Sequence, residues 1–118
     1  MIQFKNVSKV FHGQTIIDDI SFVIEDGEFV VLLGESGCGK TTTLKMINKL
    51  ISPSSGTVEI NGQDIRDADP IALRRRMGYV IQQIGLFPHM TVRENIEIIA
   101  KMNNKDKGRL EQNARRLM

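Results

Sequence analysis

The alternation of apolar and polar positions predicts strands in the N-terminal part of the chain. "IQFKNV" (2–7) has the period of a half-buried strand. "ISFVIEDGEFVVLLG" (20–34) predicts a strand, a turn at Asp26-Gly27 and a second strand. That second strand, "FVVLL" (29–33), is apolar throughout, which is typical of a strand covered on both faces in a parallel sheet.

A helix is predicted directly after this apolar run. It extends from Lys40 to about Leu50, because Leu44, Ile47 and Leu50 recur on one helical face. A buried strand that leads through a glycine-rich turn into a helix is the basic unit of an α/β fold. We therefore expect the α/β class.

Shorter elements follow in the middle of the chain. "TVEING" (57–62) predicts a strand that ends at the turn pair Asn61-Gly62. "DPIALRRRM" (69–77) predicts a short helix with Pro70 in its first turn. "GYVIQQ" (78–83) is typical of a further strand.

The C-terminal part of the chain is predicted to be helical. "TVRE" has the spacing of a capping box, with Thr91 as N-cap and Glu94 three residues later, and the helix should reach about Met102. "DKGRLEQNARRLM" (106–118) carries apolar residues at helical spacing up to the last residue.

Composition narrows the functional classes. The chain has 118 residues, the size of one small domain, and a net charge of +2 that is too weak to indicate nucleic acid. The arginines at 74–76 are interpreted as a solvated face rather than a phosphate-binding patch. The single cysteine, Cys38, favours a reducing compartment, and two histidines far apart in sequence predict no metal cluster.

One motif carries specific chemistry. "GESGCGKT" fits G-x-x-x-x-G-K-[ST], and it lies between a predicted strand and a predicted helix, as a phosphate loop requires. Its three glycines let backbone amides point at phosphate oxygens. Lys40 would reach the β- and γ-phosphates, and the Thr41 hydroxyl would hold Mg²⁺. Cys38 is interpreted as a variable loop position rather than a nucleophile, because no histidine is placed to activate it.

A phosphate-loop ATPase also needs a carboxylate at the end of a buried strand. Near matches occur only before the loop, at Asp18-Asp19 and at Glu25-Asp26, and the second reads as a hairpin turn. The catalytic carboxylates are therefore not predicted within these residues.

Three motifs together resemble the first half of an ABC-transporter ATP-binding subunit, over essentially all 118 residues. They are the phosphate loop, the opening "VSKVFHGQTIIDDISFVIEDGEFVVLLG" (7–34), and "MGYVIQQIGLFPHMTVREN" (77–95), which is similar to the Q-loop of the family. The resemblance implies an ABC-type P-loop NTPase fold. Its parts here would be an antiparallel β subdomain, the phosphate-loop strand and helix, the Q-loop and the start of the helical subdomain at about 92–118, all within one domain spanning 1–118.

The resemblance also implies the site residues. ATP and Mg²⁺ are the expected ligands, Phe11 would stack on adenine with Ile16 nearby, and Gln82 would meet Mg²⁺ and the attacking water, with Gln83 as the neighbour that could be confused with it. Lys40 and Gln82 would be the catalytic residues. The residues that line the nucleotide would further include Gly34, Glu35, Ser36, Gly37, Cys38, Gly39, Thr41 and Thr42.

Partners follow from the same resemblance. Phe87–Met90 would border the groove that receives a helix of an integral membrane permease, so the protein would lie peripherally on the cytoplasmic face of the membrane. A second copy of the subunit would complete a homodimer around two nucleotides, and a substrate-binding protein would act indirectly. "IQQIGLFPH" (81–89) resembles importers of quaternary-amine osmoprotectants such as glycine betaine, carnitine and choline.

Alternatives remain open at this point. The Walker B acid, the signature motif and the switch histidine of the family would lie beyond residue 118, so these residues alone are expected not to turn over ATP. A non-catalytic nucleotide-binding module and an ABC-type ATPase outside transport are the two rival interpretations. A phosphate-loop kinase or GTPase has less support, because "LFPH" after Gln82 has no role there and no N-K-x-D motif is present.

Overall fold

The computed structural model describes residues 1–81, 85–102 and 114–117. It divides into two compact units, Met1–Met77 and Gly78–Met118. The first unit contains strands β1 (Ile2–Phe11), β2 (Gln14–Ile24), β3 (Ser55–Ile60) and β4 (Gln63–Asp64), with helices α1 (Lys40–Ile47) and α2 (Pro70–Arg75). The second unit contains helix α3 (Val92–Met102), and residues 114–117 are also helical.

The four strands form one antiparallel sheet in the order β2-β1-β3-β4. Two-residue turns join β1 to β2 and β3 to β4, and all four turn residues have positive φ: His12 48°, Gly13 80°, Asn61 51° and Gly62 78°. Positive φ at both central positions matches the right-handed twist of hairpin strands. The predicted Asn61-Gly62 turn is confirmed, and β1 extends beyond the predicted 2–7 because it pairs with strands on both sides.

The core of the first unit lies between the sheet and α1. Phe4 stacks on Phe22 with ring centroids 4.5 Å apart, and Met46 from α1 is fully buried. The buried set is completed by Val7, Ile17, Val58 and Ile65. Burial of these side chains, each stabilising by about 1.5–3 kcal/mol, anchors the helix that follows the glycine loop.

The predicted strand "FVVLL" is wrong in this structure. Residues 29–33 form no strand, and Phe29 and Leu33 are 93% and 88% exposed. An apolar strand needs paired neighbours on its edges, and the sheet order gives this segment none. The predicted strand at 78–83 is likewise absent over Gly78–Ile81, and its last two residues lie outside the described part.

Helix α1 is shorter than predicted, because its C-terminus is stopped at Ile47 by its own backbone. Lys49 has φ 53°, its amide donates to Met46 O at 3.0 Å, and the Leu50 amide donates to Lys45 O at 2.9 Å. This is a Schellman arrangement with lysine in the position that usually holds glycine. The predicted apolar face is also rotated: Leu44 and Leu50 are about half exposed, while Thr43 and Met46 are buried.

The two later helices begin as the sequence predicts. Asp69 accepts a hydrogen bond from the Ala72 amide at 2.7 Å, with Pro70 as the first residue of α2. Before α3, the Thr91 amide donates to Glu94 Oε2 at 2.7 Å and the Glu94 amide donates to Thr91 Oγ1 at 3.2 Å, which is a reciprocal capping box. Of the predicted helix at 106–118, residues 106–113 and 118 lie outside the described part.

β1 and β3 approach closely at a bulge. Gly56 has φ 77°, and a Cβ built there would lie 2.2 Å from the Asn6 carbonyl oxygen. Gly62 has almost the same φ, 78°, but has no atom within 4 Å of such a Cβ. Comparison of Gly56 with Gly62 therefore separates the destabilisation that a side chain causes through the positive φ from the destabilisation that it causes through the steric conflict.

We predict that Gly56→Ala lowers the free energy of unfolding by at least about 2 kcal/mol more than Gly62→Ala, because only the first adds overpacking to the positive-φ strain. Urea denaturation of both variants and the wild type measures this. Equal destabilisation would contradict the close approach of β1 and β3.

Candidate functional site

The glycine loop at 34–41 is closed by a lysine. Lys40 Nζ donates to Gly34 O at 2.8 Å and to Glu35 O at 2.6 Å, and it lies 3.6 Å from Cys38 Sγ. The side chain therefore folds back over its own loop, and its ammonium lies where the loop carbonyls converge. An ammonium held by neutral carbonyls is available to a stronger, anionic acceptor.

Two loop glycines are required by close contacts. A Cβ at Gly34 would lie 2.5 Å from Cys38 Sγ. A Cβ at Gly39 would lie 2.9 Å from Ile17 Cγ1 and 3.1 Å from Ile16 O. The backbone of β2 therefore lies directly against the end of the loop, and it brings Ile16 beside Gly39.

Gly39 also begins helix α1. It has φ 99° and no side chain with which to cap the first amides of the helix. Its carbonyl accepts both the amide and the hydroxyl of Thr43, at 2.8 and 3.0 Å, and Thr43 is buried. Because the first amides of a helix have no acceptor within the helix, this end can bind an anion.

The other predicted loop residues surround this helix start. Glu35, Ser36, Gly37, Cys38 and Thr41 are exposed, and Thr42 is half-buried. The Thr41 hydroxyl is thus accessible in the first turn of α1, beside Lys40. A hydroxyl oxygen is the kind of ligand that a hard cation such as Mg²⁺ prefers.

Phe11 lies at the end of β1, on the same hairpin as Ile16, and is 37% exposed. One face of its ring is near a cation, since Lys9 Nζ lies 4.7 Å from the ring centroid. The structure thus brings Ile16 to the loop and leaves Phe11 accessible on the neighbouring hairpin tip. Gln82 and Gln83 lie outside the described residues.

The second unit has its own organised loop before α3. The Phe87 amide donates to Asn95 Oδ1 at 2.8 Å, and Asn95 Nδ2 donates to the carbonyls of Phe87, Met90 and Thr91 at 3.0–3.2 Å. The side chain of Asn95 therefore holds the loop at 87–91 against the helix. At the start of the same helix, the hydrogen bonds from Thr91 lower the pKa of the Glu94 carboxyl.

This loop borders an apolar groove. The groove has a volume of about 300 Å³. Leu86, Phe87 and Val92 expose large apolar side chains there. The rest of the lining includes Pro88, Met90 and Ile96. Of the predicted partner-binding residues 87–90, Phe87, Pro88 and Met90 line this groove, while His89 packs edge-on against Phe87 with ring centroids 5.9 Å apart.

Sequence reasoning missed several side chains that bind backbone, and three of them bear on the features described above. They are Lys9, Arg74 and Asn95. Arg74 donates to the carbonyls of Asn48 and Lys49 at 3.0 and 2.6 Å, which satisfies the end of α1 and leaves this arginine committed to the protein itself. The contact of Asn95 could have been predicted from the sequence, because asparagine side chains form hydrogen bonds with nearby backbone groups and are therefore disfavoured inside helices unless they have such a role. The other two contacts join residues too distant in sequence to predict.

Two further kinds of feature are absent from the described ranges. No three His, Cys, Asp or Glu side chains there converge on a metal site. No helix among the same residues is long and apolar enough to cross a bilayer.

The loop at 34–41 has the sequence of a phosphate-binding loop, is closed by its lysine and opens helix α1, although the strand expected before it is not formed in this structure. Comparison with known proteins agrees. The sequence profile of the ABC transporter family matches residues 17–118. The chain belongs to this family, and its fold is the P-loop NTPase fold of ABC ATP-binding cassettes.

Individual relatives give the detail. The chain is 53% identical to the osmoprotectant import ATP-binding protein OsmV of Salmonella typhimurium, with 100% of this chain and 32% of that protein covered. It is 49% identical to the glycine betaine/carnitine/choline transport ATP-binding protein OpuCA of Bacillus subtilis, covering 100% and 31%. The chain thus spans about a third of the length of these relatives.

A solved structure is also similar. It is a dimeric, post-hydrolysis state of the ATP-binding cassette MJ0796 bound to ADP and Pi, at 30% identity and a TM-score of 0.81. The match covers 97% of this chain and 54% of that one.

We predict that a bulky maleimide at Cys38 blocks nucleotide binding and that MgATP protects the thiol, because Cys38 is exposed inside the loop. At ten times the dissociation constant, labelling should slow about ten-fold. Thiol-labelling rates with and without MgATP measure this, and Lys40→Ala, in which the protection at the same MgATP concentration should fall to about two-fold or less, is the control. A labelling rate that MgATP does not change would contradict the loop assignment.

We predict that Asn95→Ala loosens the loop at 87–91 without weakening α3, because alanine is the better helix former while the side-chain bonds to Phe87 are lost. Exchange of the Phe87 amide should accelerate about five-fold, as expected for one lost hydrogen bond. Amide hydrogen exchange measures this. Lys101→Ala, which removes only an ion pair with Glu97 on the same helix, is the matched control, and unchanged exchange in Asn95→Ala would contradict the assignment.

Proposed function

We propose that this chain forms the nucleotide-gripping part of the ATP-binding subunit of an ABC importer. The observation that carries the proposal is the closed loop, with Lys40 Nζ on the carbonyls of Gly34 and Glu35. Bound ATP offers phosphate oxygens in place of these neutral acceptors. The ammonium then exchanges two hydrogen bonds to neutral carbonyl oxygens for hydrogen bonds to anionic phosphate oxygens, which add the attraction between opposite charges.

Different residues of the loop would make different contacts with the nucleotide. Gly34 and Gly39 keep the backbone close enough to surround a phosphate, and the uncapped start of α1 directs its first amides and its dipole at the anion. Thr41 would hold Mg²⁺ through its hydroxyl, and the ion would supply positive charge to the phosphates. Ser36, Cys38 and the other exposed loop residues contact the nucleotide through their backbone.

The base is proposed to bind at the hairpin tip. Phe11 is accessible there, and Ile16 on the same hairpin is in contact range of Gly39. The hairpin of β1 and β2 therefore connects the phosphate loop with the proposed adenine site. Stacking of the base on Phe11 with Ile16 beside it would bury apolar area on both partners.

In the whole protein we propose transport-coupled ATP hydrolysis. Gln82 then senses the γ-phosphate, contacts Mg²⁺ and orients the attacking water, while Lys40 stabilises the transferred charge. A second copy of the subunit dimerises with the first around two nucleotides, in keeping with the dimeric cassette that this chain resembles. The names of the relatives support a quaternary-amine osmoprotectant as the solute.

The membrane subunit is proposed to bind the groove beside α3. Its lining is apolar and exposed, and Asn95 fixes the loop that forms one wall. A short amphipathic helix is the kind of partner such a groove accepts. The subunit would thereby sit peripherally on the cytoplasmic face of the membrane, with a substrate-binding protein acting on the permease alone.

We predict that MgATP binding depends on Lys40 and much less on Gln82, because Lys40 meets phosphate charge in the ground state while Gln82 acts on the transition state. Lys40→Ala should weaken binding by about ten- to hundred-fold, as for a lost charge-assisted hydrogen bond. Gln82→Ala should change it by less than about three-fold while lowering the rate of hydrolysis.

Titration of the full-length protein with a fluorescent ATP analogue measures both affinities. Lys45→Ala removes the same charge from the last turn of α1 and is the matched control. Equal loss of affinity in the Lys40 and Gln82 variants would contradict the division of roles.

A further inference from the structure

The ring of Phe11 has a cation on one face. Lys9 Nζ lies 4.7 Å from the ring centroid, within the range of a cation–π contact. The same ammonium donates a hydrogen bond to Ser52 O at 2.7 Å. Lys9 is therefore held in place by a second, independent contact rather than free to leave the ring.

Secondary structure brings the lysine to the ring. Lys9 and Phe11 are alternate residues of β1, so they share one side of the strand. The connection between α1 and β3 runs along the edge of β1 at this point: the Val10 amide donates to Ser54 Oγ at 3.0 Å, and the Ser54 amide donates to Ser8 O at 2.9 Å. Ser52 belongs to this connection, which therefore fixes where the ammonium lies.

A cation on one face has two consequences for the other. The occupied face is closed to a base, so a base has a single face on which to stack. The cation also draws π density toward itself, which reduces the negative charge of the opposite face. Stacking with an electron-rich purine then meets less repulsion, because face-to-face contact of two π systems is opposed by their quadrupoles.

We propose that Lys9 is a positioning residue for adenine: it immobilises and polarises the Phe11 ring so that one face of the ring takes the base. The proposal rests on the proposed function, because it needs adenine to stack on Phe11. It assigns Lys9 no contact with the nucleotide, only with the ring and with Ser52.

The test is a calorimetric titration of the full-length protein with two ligands, MgATP and inorganic tripolyphosphate with Mg²⁺. Tripolyphosphate meets the phosphate loop but offers no base. Lys9→Met keeps the alkyl stem and removes the cation, and Lys9→Arg restores a cation. Ser54→Ala removes the neighbouring Val10 hydrogen bond without touching the charge on the ring, so it controls for loosening of the connection.

We expect Lys9→Met to weaken MgATP about two- to five-fold and to leave tripolyphosphate unchanged, in line with the strength of an exposed cation–π contact. Lys9→Arg should recover the affinity for MgATP, and Ser54→Ala should keep it. Unchanged MgATP affinity in Lys9→Met would overturn the proposal. Equal weakening of both ligands, which is also the result if the variant folds poorly, would overturn it too, because Lys9 would then support the loop rather than the base.

Phe11→Ala separates this proposal from the one on which it rests. A selective loss of MgATP affinity in Phe11→Ala supports adenine stacking, whatever Lys9→Met does. Full MgATP affinity in Phe11→Ala would end the proposed adenine contact, and the role of Lys9 with it, while the role of Lys40 would be untouched.

Discussion

The close approach of Gly39 to the backbone of β2 is the contact on which the site depends. A Cβ at this position would lie 2.9 Å from the Ile17 side chain and 3.1 Å from the Ile16 carbonyl oxygen, so only glycine permits the approach. It fixes the residue at which α1 begins and hence the direction of Lys40 and Thr41. Burial of Met46 and Thr43 then holds the helix on the sheet, and the hairpin that supplies Ile16 also carries Phe11.

Local signals in the sequence predicted the local structure. The Asn61-Gly62 turn, the helix that starts at Pro70 and the capping box of Thr91 and Glu94 are all confirmed, because each depends on residues within one turn of one another. Closure of the glycine loop by Lys40 is also local, with contacts two to six residues away. The sequence analysis did not predict it, and the phosphate contacts that it did predict for Lys40 stay a prediction.

Features that depend on distant partners were not predictable in the same way. The apolar run at 29–33 has the composition of a buried strand, yet a strand exists only where neighbours pair with it, and the sheet contains none for this run. Arg74 donates to the Asn48 carbonyl at the end of α1, 26 positions away, and Lys9 donates to the Ser52 carbonyl, 43 positions away. No spacing rule predicts hydrogen bonds between residues so far apart in sequence. The role of Gln82 stays a prediction.

We infer that residues 34–42 bind a nucleotide through its phosphates and that Lys40 leaves its own carbonyls to do so. Two-dimensional ¹H–¹⁵N NMR of the labelled chain, titrated with MgATP, tests this inference most directly. We expect saturable shifts of the loop amides and of Lys40–Thr43, together with smaller shifts at Phe11 and Ile16, and we expect these shifts to be lost in Lys40→Ala. Loop amides that do not move with MgATP, or that move equally in Lys40→Ala, would contradict it.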